Sequence, residues 1–177
     1  MRYLTIVRHA KASPAAHGQS DYERTLSARG KRQCEELRKW ATDPTTLGAF
    51  GPTTALVSSA ARTRETFRRA FDGTAFVADV SFSDLIYNGR REVTAEDLLI
   101  DLAAIDPVTS SLLVVAHNPT VHELLESLGQ DVPELVRERG YPLGGAFVLQ
   151  LRDDQPIGLV RYPVVAHFIP EGVASDS

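Results

Sequence analysis

The chain has 177 residues, of which 43% are hydrophobic and 24% are charged, and its formal net charge is −4. These values are ordinary for a globular protein with a buried core, and we expect a single domain over residues 1–177. The acidic balance, without interleaved basic and aromatic residues, argues against nucleic acid as a partner. No apolar run approaches the roughly 20 residues of a membrane span, so a membrane partner is not expected either.

The single cysteine and the N-terminal residues indicate the cellular compartment. Cys34 cannot form an intramolecular disulfide, so the chain is compatible with a reducing environment. Arg8 interrupts the first apolar stretch, and no cleavage-like site of a secretory signal follows. We therefore expect a cytoplasmic protein. Because Cys34 falls within a predicted helix, we expect a small half-buried hydrophobe rather than a reactive thiol.

The first half of the chain alternates strand and helix patterns. Residues 2–7 are apolar and β-branched, as in a buried strand. A helix opens at Ser27 and is stopped by Pro44 and Gly48. The next predicted elements are a strand at 53–58, a basic helix at about 60–71 and a short strand at 75–80.

The same alternation continues after the third strand. Thr94 and Asp97 resemble a capping box that opens a helix, and residues 106–107, Asp-Pro, end it. Residues 111–116 are apolar throughout, as a central parallel strand must be.

The last third of the chain opens with a helix and closes with strands. Asn118 suits the N-cap and Pro119 the first position of this helix, which ends at Gly129. Two closing strands are predicted at 146–151 and 158–162, and residues 174–177 are expected to be a frayed tail. The alternation predicts an α/β three-layer sandwich, with a mostly parallel central sheet and helices on both faces.

Three strand-to-loop junctions carry cationic or imidazole side chains. The first strand is followed by Arg8 and His9, the second by a helix start that carries Arg62, and the fourth by His117. Because the carboxyl ends of parallel strands share one edge, these groups can converge with the N–H groups of two helix starts. The sequence therefore predicts an anion pocket that holds two imidazoles.

The arginines indicate that the anion is a phosphoryl group, since guanidinium forks match phosphate oxygens. A neutral imidazole can attack phosphorus and form a phosphohistidine, while Arg8, Arg62 and His117 neutralise the moving oxygens. A leaving oxygen also needs a proton, and Asp84, between the third strand and third helix, is the candidate donor. A plain loop carboxylate is the alternative interpretation of Asp84.

Four motifs, in order, resemble the histidine phosphatase superfamily, also called phosphoglycerate mutase-like. They are the Arg-His-Ala of residues 8–10, the Arg-Thr-Arg-Glu-Thr of 62–66, the Asp-Leu-Ile-Tyr of 84–87 and the His-Asn-Pro of 117–119. Residues 1–128 carry the resemblance, and the C-terminal third matches loosely. Ala10 replaces the glycine of the wider superfamily, and Asp84 is shorter than the family's glutamate.

The SixA-like phosphohistidine phosphatases are the branch that the chain resembles most. Residues 8–12 read Arg-His-Ala-Lys-Ala, and residues 21–26 carry the Asp-x-x-Arg-x-Leu pattern of that branch. The resemblance implies that His9 is the nucleophile, that Arg8, Arg62 and His117 bind the phosphoryl group, and that no cofactor or metal takes part. The remaining candidate substrate-binding residues are Asp21, Arg24, Ser59 and Asn118.

Several interpretations compete with a SixA-like phosphatase. The substrate implied first is phosphohistidine on a protein, such as a phosphotransfer protein, followed by small phosphomonoesters and then by a mutase reaction. A phosphate- or phosphohistidine-binding module without turnover is the alternative outside enzymes. A metal site is disfavoured because His117 and His122 are five residues apart, and four would put them on one helix face.

Overall fold

A seven-stranded mixed sheet forms the centre of the molecule. The computed structural model describes residues 2–51, 53–89, 91–105, 111–153, 155–158 and 160–171. The strands are β1 (Arg2–Arg8), β2 (Thr53–Ser58), β3 (Val77–Ser83), β4 (Ser111–Ala116), β5 (Gly129–Gln130), β6 (Ala146–Leu151) and β7 (Tyr162–Phe168). The helices are α1 (Ala28–Thr42), α2 (Ala61–Ala70), α3 (Ala95–Ile105), α4 (Thr120–Leu128) and α5 (Glu134–Arg139), with 3₁₀ turns at Asp21–Glu23 and Leu47–Phe50.

The strand order, β3-β2-β4-β1-β6-β7-β5, brings the ends of β1 and β4 side by side. Strands β3, β2, β4 and β1 run parallel, whereas β6 is antiparallel to both β1 and β7. Arg8 at the end of β1 is in register with Ala116 at the end of β4. The carboxyl ends of the four parallel strands therefore lie along one edge, where ligands bind in open α/β sheets.

Alternate residues of the strands point to opposite faces of the sheet and build two cores. Leu4 and Ile6 of β1 belong to a core that includes Leu98 of α3 and Leu124 of α4. Their neighbour Val7 belongs to the other core, with side chains of α1 and α2. Since full burial of such a side chain contributes about 1.5–3 kcal/mol, helices are held on both faces. This arrangement confirms the predicted three-layer α/β sandwich.

Two strand predictions are wrong in their bounds, and both strands lie in the outer part of the sheet. The third strand was expected at 75–80 but continues to Ser83, because Ser81 and Ser83 stay paired with β2. Polar side chains are tolerated there because β3 is an edge strand with one exposed side.

The last strand was expected at 158–162 but is observed at Tyr162–Phe168. Gly158 lies in a turn with a φ of +97°. Pro163 within the strand weakens its sequence signal, since proline cannot donate to a ladder. Pairing of Ala146 with Phe168 nonetheless holds β7 against β6.

The predicted start of α4 is wrong by one residue. The helix begins at Thr120, with Pro119 in the N-cap position and no side-chain cap, and the Asn118–Pro119 peptide is cis. Val121 N–H bonds to the His117 carbonyl at 3.1 Å, so a backbone bond rather than the Asn118 side chain satisfies this helix start.

Other local predictions are confirmed. Ser27 caps α1 by accepting from the N–H of Gly30, and Thr94 and Asp97 form the expected reciprocal capping box at α3. Strand β5, helix α5 and both 3₁₀ turns were not predicted. The expected helix end at 106–107 and the frayed tail at 174–177 lie outside the described residues. Within the described residues, no helix is long and apolar enough to cross a membrane.

Cys34 is buried more deeply than expected. Its exposed fraction is 0%, and it packs in a small cluster with Ala10 and Leu26, directly behind the loop that follows β1. Burial raises the pKa of its thiol to about 12. The thiol is therefore protonated at neutral pH and serves as a packing group, as predicted.

Gly30 lets the loop after β1 lie directly on the first turn of α1. A Cβ at this position would be 2.1 Å from the Lys11 carbonyl oxygen, which accepts a 2.9 Å bond from Ser27 N–H. We expect Gly30→Ala to push this loop away and to lower the free energy of unfolding by about 1–3 kcal/mol, as overpacking does. Urea denaturation measures the change. The exposed neighbour Lys31→Ala is the control, expected to stay within about 0.5 kcal/mol, and equal stabilities of the two variants would contradict the prediction.

Candidate active site

The two predicted imidazoles meet at the shared edge of the parallel strands. His9 follows β1 and donates its backbone N–H to the Ala116 carbonyl at 3.1 Å. His117 follows Ala116, and the centroids of the two imidazole rings are 5.1 Å apart. The convergence expected from parallel strand ends is therefore present.

Hydrogen bonds determine which nitrogen of His9 carries its proton. Nδ1 lies 2.8 Å from the Ala10 carbonyl oxygen, which can only accept, so Nδ1 carries the hydrogen. Nε2 receives the N–H of Arg62 Nε at 3.2 Å and therefore presents a lone pair. His9 thus has the tautomer that a nucleophile requires, with Nε2 as the unprotonated nitrogen.

Both imidazoles are neutral over the physiological range. Burial lowers the pKa of His9 most; the Ala10 carbonyl raises it and the nearby Arg62 and Arg8 guanidinium groups lower it, so that the pKa is about 3. Burial, together with the nearby His9 and Arg62, lowers the pKa of His117 to about 2. A neutral His9 keeps its Nε2 lone pair available at neutral pH.

Asp21 holds the guanidinium of Arg62 against His9. Arg62 Nη1 donates to the Asp21 carbonyl oxygen at 2.7 Å, and Nη2 contacts Asp21 Oδ2 at 3.0 Å. The same carboxylate accepts from Arg24 at 2.8 Å and from the Tyr87 hydroxyl at 2.9 Å. Burial alone would raise the pKa of Asp21, but hydrogen bonds from Arg24, Tyr87 and Arg62 lower it to about 2. Asp21 is thus an ionised anchor.

Arg8 and His117 carry buried polar atoms without a partner among the described residues. Arg8 Nη1 donates to the Tyr141 carbonyl at 2.6 Å, while its Nε is unpartnered. His117 Nε2 is hydrogen-bonded to the Ser58 hydroxyl at 2.8 Å, while its Nδ1 and the neighbouring Asn118 Oδ1 are unpartnered. An unsatisfied buried group costs about 1–3 kcal/mol, so a ligand that pairs with these atoms would be bound favourably.

Asp84, the predicted proton donor, lies at the exposed rim of the site. Its carboxylate accepts hydrogen bonds from the Ser59 hydroxyl and, at 3.1 Å, from the Tyr22 hydroxyl. The Tyr22 ring in turn packs edge-on against Tyr87 at 5.0 Å. The described contacts therefore join Asp84 to Ser59 and Tyr22, whereas Asp21 is the carboxylate in contact with Arg62.

The sequence reasoning missed several residues that build the site. Tyr87 packs against His117 at 5.6 Å between ring centroids and lies 5.8 Å from the Arg62 guanidinium. Thr66 accepts the backbone N–H of Ala10 at 3.0 Å, and Ser58 binds His117. Tyr87 and Thr66 end two of the four recognised motifs, so their positions in those motifs were the available signal.

The other histidines are placed away from this pair. Both ring nitrogens of His122 are engaged, since Nδ1 accepts from Tyr141 N–H at 3.0 Å and Nε2 lies 3.1 Å from Glu126. His17 is exposed, and His167 stacks on Phe147. Among the residues described, no group of three or more metal-binding side chains comes together.

Solved structures share this fold over nearly the whole chain. The proposed phosphohistidine phosphatase SixA from Agrobacterium tumefaciens is 29% identical, with a TM-score of 0.75, over 96% of this chain and 99% of that chain. The corresponding Nakamurella protein is 23% identical, with a TM-score of 0.70 and 96% coverage of both chains. A protein histidine phosphatase SixA complexed with tungstate is 18% identical, with a TM-score of 0.71, over 95% and 97% of the two chains. No protein-family model and no curated protein matches the chain.

The fold and site define an α/β phosphatase with paired imidazoles at the ends of parallel strands. The four ordered motifs, the imidazole pair and the full-length likeness to SixA structures agree. In its motifs, its imidazole pair and its full-length fold, the chain resembles the histidine phosphatase superfamily, with up to 29% identity to the solved structures.

The lowered pKa values of both imidazoles predict acid sensitivity. Because both lie below the 6.5 of an ordinary histidine, the unfolded chain binds protons first as pH falls. The contribution of the two neutral imidazoles to the free energy of unfolding is therefore complete above pH 6.5, and it is lost as the pH falls towards 3. We expect the free energy of unfolding to decrease by a few kcal/mol over that range, on the order set by such shifts.

Urea denaturation at pH 7.5 and pH 4.5 measures this effect. The double variant His9→Gln/His117→Gln is expected to lose less stability between the two pH values than the parent protein. The control is His17→Gln, an exposed histidine expected to behave like the parent. Equal losses for the parent and the double variant would refute the assignment.

Proposed function

We propose that the protein is a SixA-like phosphatase that removes the phosphoryl group from a protein phosphohistidine through a covalent intermediate on His9. Residues 1–177 would form one catalytic domain. The observation that carries the proposal is the state of His9, which is buried, neutral and has its Nε2 lone pair beside Arg62 and His117. A structural histidine would not need that lone pair next to a second imidazole and a guanidinium.

The reaction takes place in two displacements. His9 Nε2 forms a bond to phosphorus as the bond to the leaving nitrogen or oxygen breaks, and the leaving atom takes up a proton. Water then attacks phospho-His9, the P–N bond breaks, and inorganic phosphate is released with the imidazole restored. The hydrogen bond from Nδ1 to Ala10 keeps the ring oriented and supports the positive charge of the phosphorylated imidazole.

Arg8, Arg62 and His117 are proposed to hold the phosphoryl oxygens. Arg62 Nε now donates to His9 Nε2, and a bound oxygen would take over this donor as the lone pair turns to phosphorus. The unpartnered Arg8 Nε offers a further donor, and His117 Nδ1 offers another when His117 Nε2 accepts the Ser58 hydroxyl proton. Tungstate is a tetrahedral oxyanion like phosphate, and its presence in one relative supports such a role.

A phosphohistidine substrate fits the placement of the carboxylates. Its leaving imidazole nitrogen accepts a proton readily, so it needs less help from an acid than an alkoxide does. Asp84 is tied to two rim hydroxyls, and Asp21 is held ionised by Arg24, Tyr87 and Arg62. We propose that Asp21 and Arg24 position Arg62, while Ser59, Asn118 and Asp84 face the substrate.

Replacement of the nucleophile tests the proposal directly. His9→Ala is expected to reduce turnover of a phosphohistidine protein at least a thousandfold, because the covalent route is lost. Phosphate release measures the rate, and acid-quenched mixtures of parent protein with labelled substrate should contain phospho-His9. His17→Ala should retain full activity. Retained turnover in His9→Ala would refute the mechanism, and absence of phosphate release by the parent would favour a binding module.

Asp84→Asn and Asp21→Asn separate proton donation from positioning. If Asp84 donates the proton, its variant should lose about 100-fold in kcat on phenyl phosphate but little on phosphohistidine, whose leaving group is easily protonated. Asp21→Asn should lower kcat/KM about tenfold on both substrates, because Arg62 is loosened in both reactions. An equal loss for Asp84→Asn on the two substrates would exclude it as the donor.

A further inference from the structure

A groove runs along α2, beside the rim residues Tyr22 and Ser59. Its volume is about 510 Å³. We define the α2 groove by its lining residues, which are Tyr22, Glu23, Thr25, Ser59, Ala61, Arg64, Glu65 and Arg68. Half of them come from α2 at helical spacing, so the groove follows one stripe of that helix while Arg62 points to His9.

The α2 groove brings two arginines and two glutamates together on a chain whose net charge is −4. Its acids are already engaged, because Glu65 binds Arg69 at 2.9 Å and Leu26 N–H at 2.8 Å, and Glu23 accepts from Ser20 N–H. Arg64 and Arg68 have no ion pair with another described residue. Two guanidinium groups are therefore available to a partner.

Exposed apolar side chains lie at the end of β3 and in the turn that follows, and one of them contacts Arg64. Phe82, at the end of β3, is 44% exposed. Leu85, in the turn that follows, is 60% exposed. The Arg64 guanidinium lies 5.6 Å from the centroid of the Phe82 ring, which places charge and apolar surface together. Aromatic and arginine side chains so combined are typical of protein interfaces.

Side-chain contacts connect the α2 groove to the candidate active site. Ser59 lines the groove and donates to Asp84. Tyr22 also lines it, and its ring packs on Tyr87, which in turn packs on His117. A polypeptide seated in the groove would therefore extend from the arginines to the rim of the imidazole pair.

We infer that the α2 groove docks the polypeptide that carries the phosphorylated residue, and that it selects acidic segments with an apolar side chain. This inference rests on the proposed function. The guanidinium groups of Arg64 and Arg68 favour a negatively charged partner. The exposed side chains of Phe82 and Leu85 favour a protein over a nucleic acid. The groove would thus favour phosphoproteins over small phosphate esters.

Paired synthetic peptides test the inference. One carries phosphohistidine among glutamates with a leucine, and its partner has glutamine in place of every glutamate. We expect the parent protein to show about fivefold to tenfold higher kcat/KM on the acidic peptide, the effect of two exposed charge pairs, and to lose this preference at high salt. The difference in kcat/KM between the two peptides should come from KM and not from kcat.

Arg64→Ala/Arg68→Ala should abolish the preference, while its activity on p-nitrophenyl phosphate stays close to that of the parent. The control Lys31→Ala/Arg32→Ala removes the same charge from an exposed part of α1 and should keep the preference. Thermal melting of both variants verifies folding. Equal kcat/KM of the parent protein on both peptides would overturn the inference while leaving the proposed function intact.

A peptide-binding measurement tests the α2 groove even if the protein does not have the proposed function. If the parent releases phosphate from neither peptide, fluorescence anisotropy of the labelled, unphosphorylated acidic peptide still reports on the groove. Tighter binding of this peptide than of its glutamine partner, lost in Arg64→Ala/Arg68→Ala, supports the docking surface. Equal binding of the two peptides would overturn the inference. So would competition in which an oligonucleotide displaces the bound acidic peptide and an unlabelled acidic peptide does not.

Discussion

The hydrogen bond from Arg62 to His9 connects every part of the site. It joins the loop after β1 to the first turn of α2, and it holds His9 beside the second imidazole, at 5.1 Å between ring centroids. The same guanidinium binds the backbone and the carboxylate of Asp21, so the 3₁₀ turn at Asp21–Glu23 is held over the strand ends. A single planar cation thereby determines the position of three separate chain segments, which lysine could not do with a point charge.

This arrangement is possible only because the site is buried. Burial is the largest cause of the lowered pKa values of both histidines, and it keeps them neutral beside the Arg62 and Arg8 cations. Neutral rings avoid the repulsion that imidazolium groups at 5.1 Å would suffer. The cost is a set of unsatisfied polar atoms on Arg8 and His117. A phosphoryl group would offset that cost, so the features that weaken the empty site are those that favour an anion.

Much of the fold followed from the sequence because its central strands are apolar on both faces. The ends of β1, β2 and β4 could be located from these runs, and parallel alternation then brought His9, Arg62 and His117 together. The outer strands β3 and β7 were misplaced because exposed serines and Pro163 obscure their pattern. The role of Asp21 was less accessible, since it depends on a contact between residues 41 positions apart, which local spacing does not encode.

The two carboxylates near the imidazole pair have different surroundings. On the proposed function, this difference separates binding of the phosphoryl group from the choice of leaving group. Asp21 receives hydrogen bonds from two arginines and a tyrosine, so it stays ionised and fixes Arg62 whatever the substrate. Asp84 is held by hydroxyl groups at the rim, next to the exposed side chains of β3 and the adjoining turn. On the proposed function, positioning of the phosphoryl group would thus be separated from contact with the leaving group. Substitutions along the rim can change which leaving group is accepted without disturbing the guanidinium that orients the nucleophile. On the proposed function, selectivity would therefore reside at the end of β3 and along α2, and phosphoryl chemistry at the ends of β1 and β4.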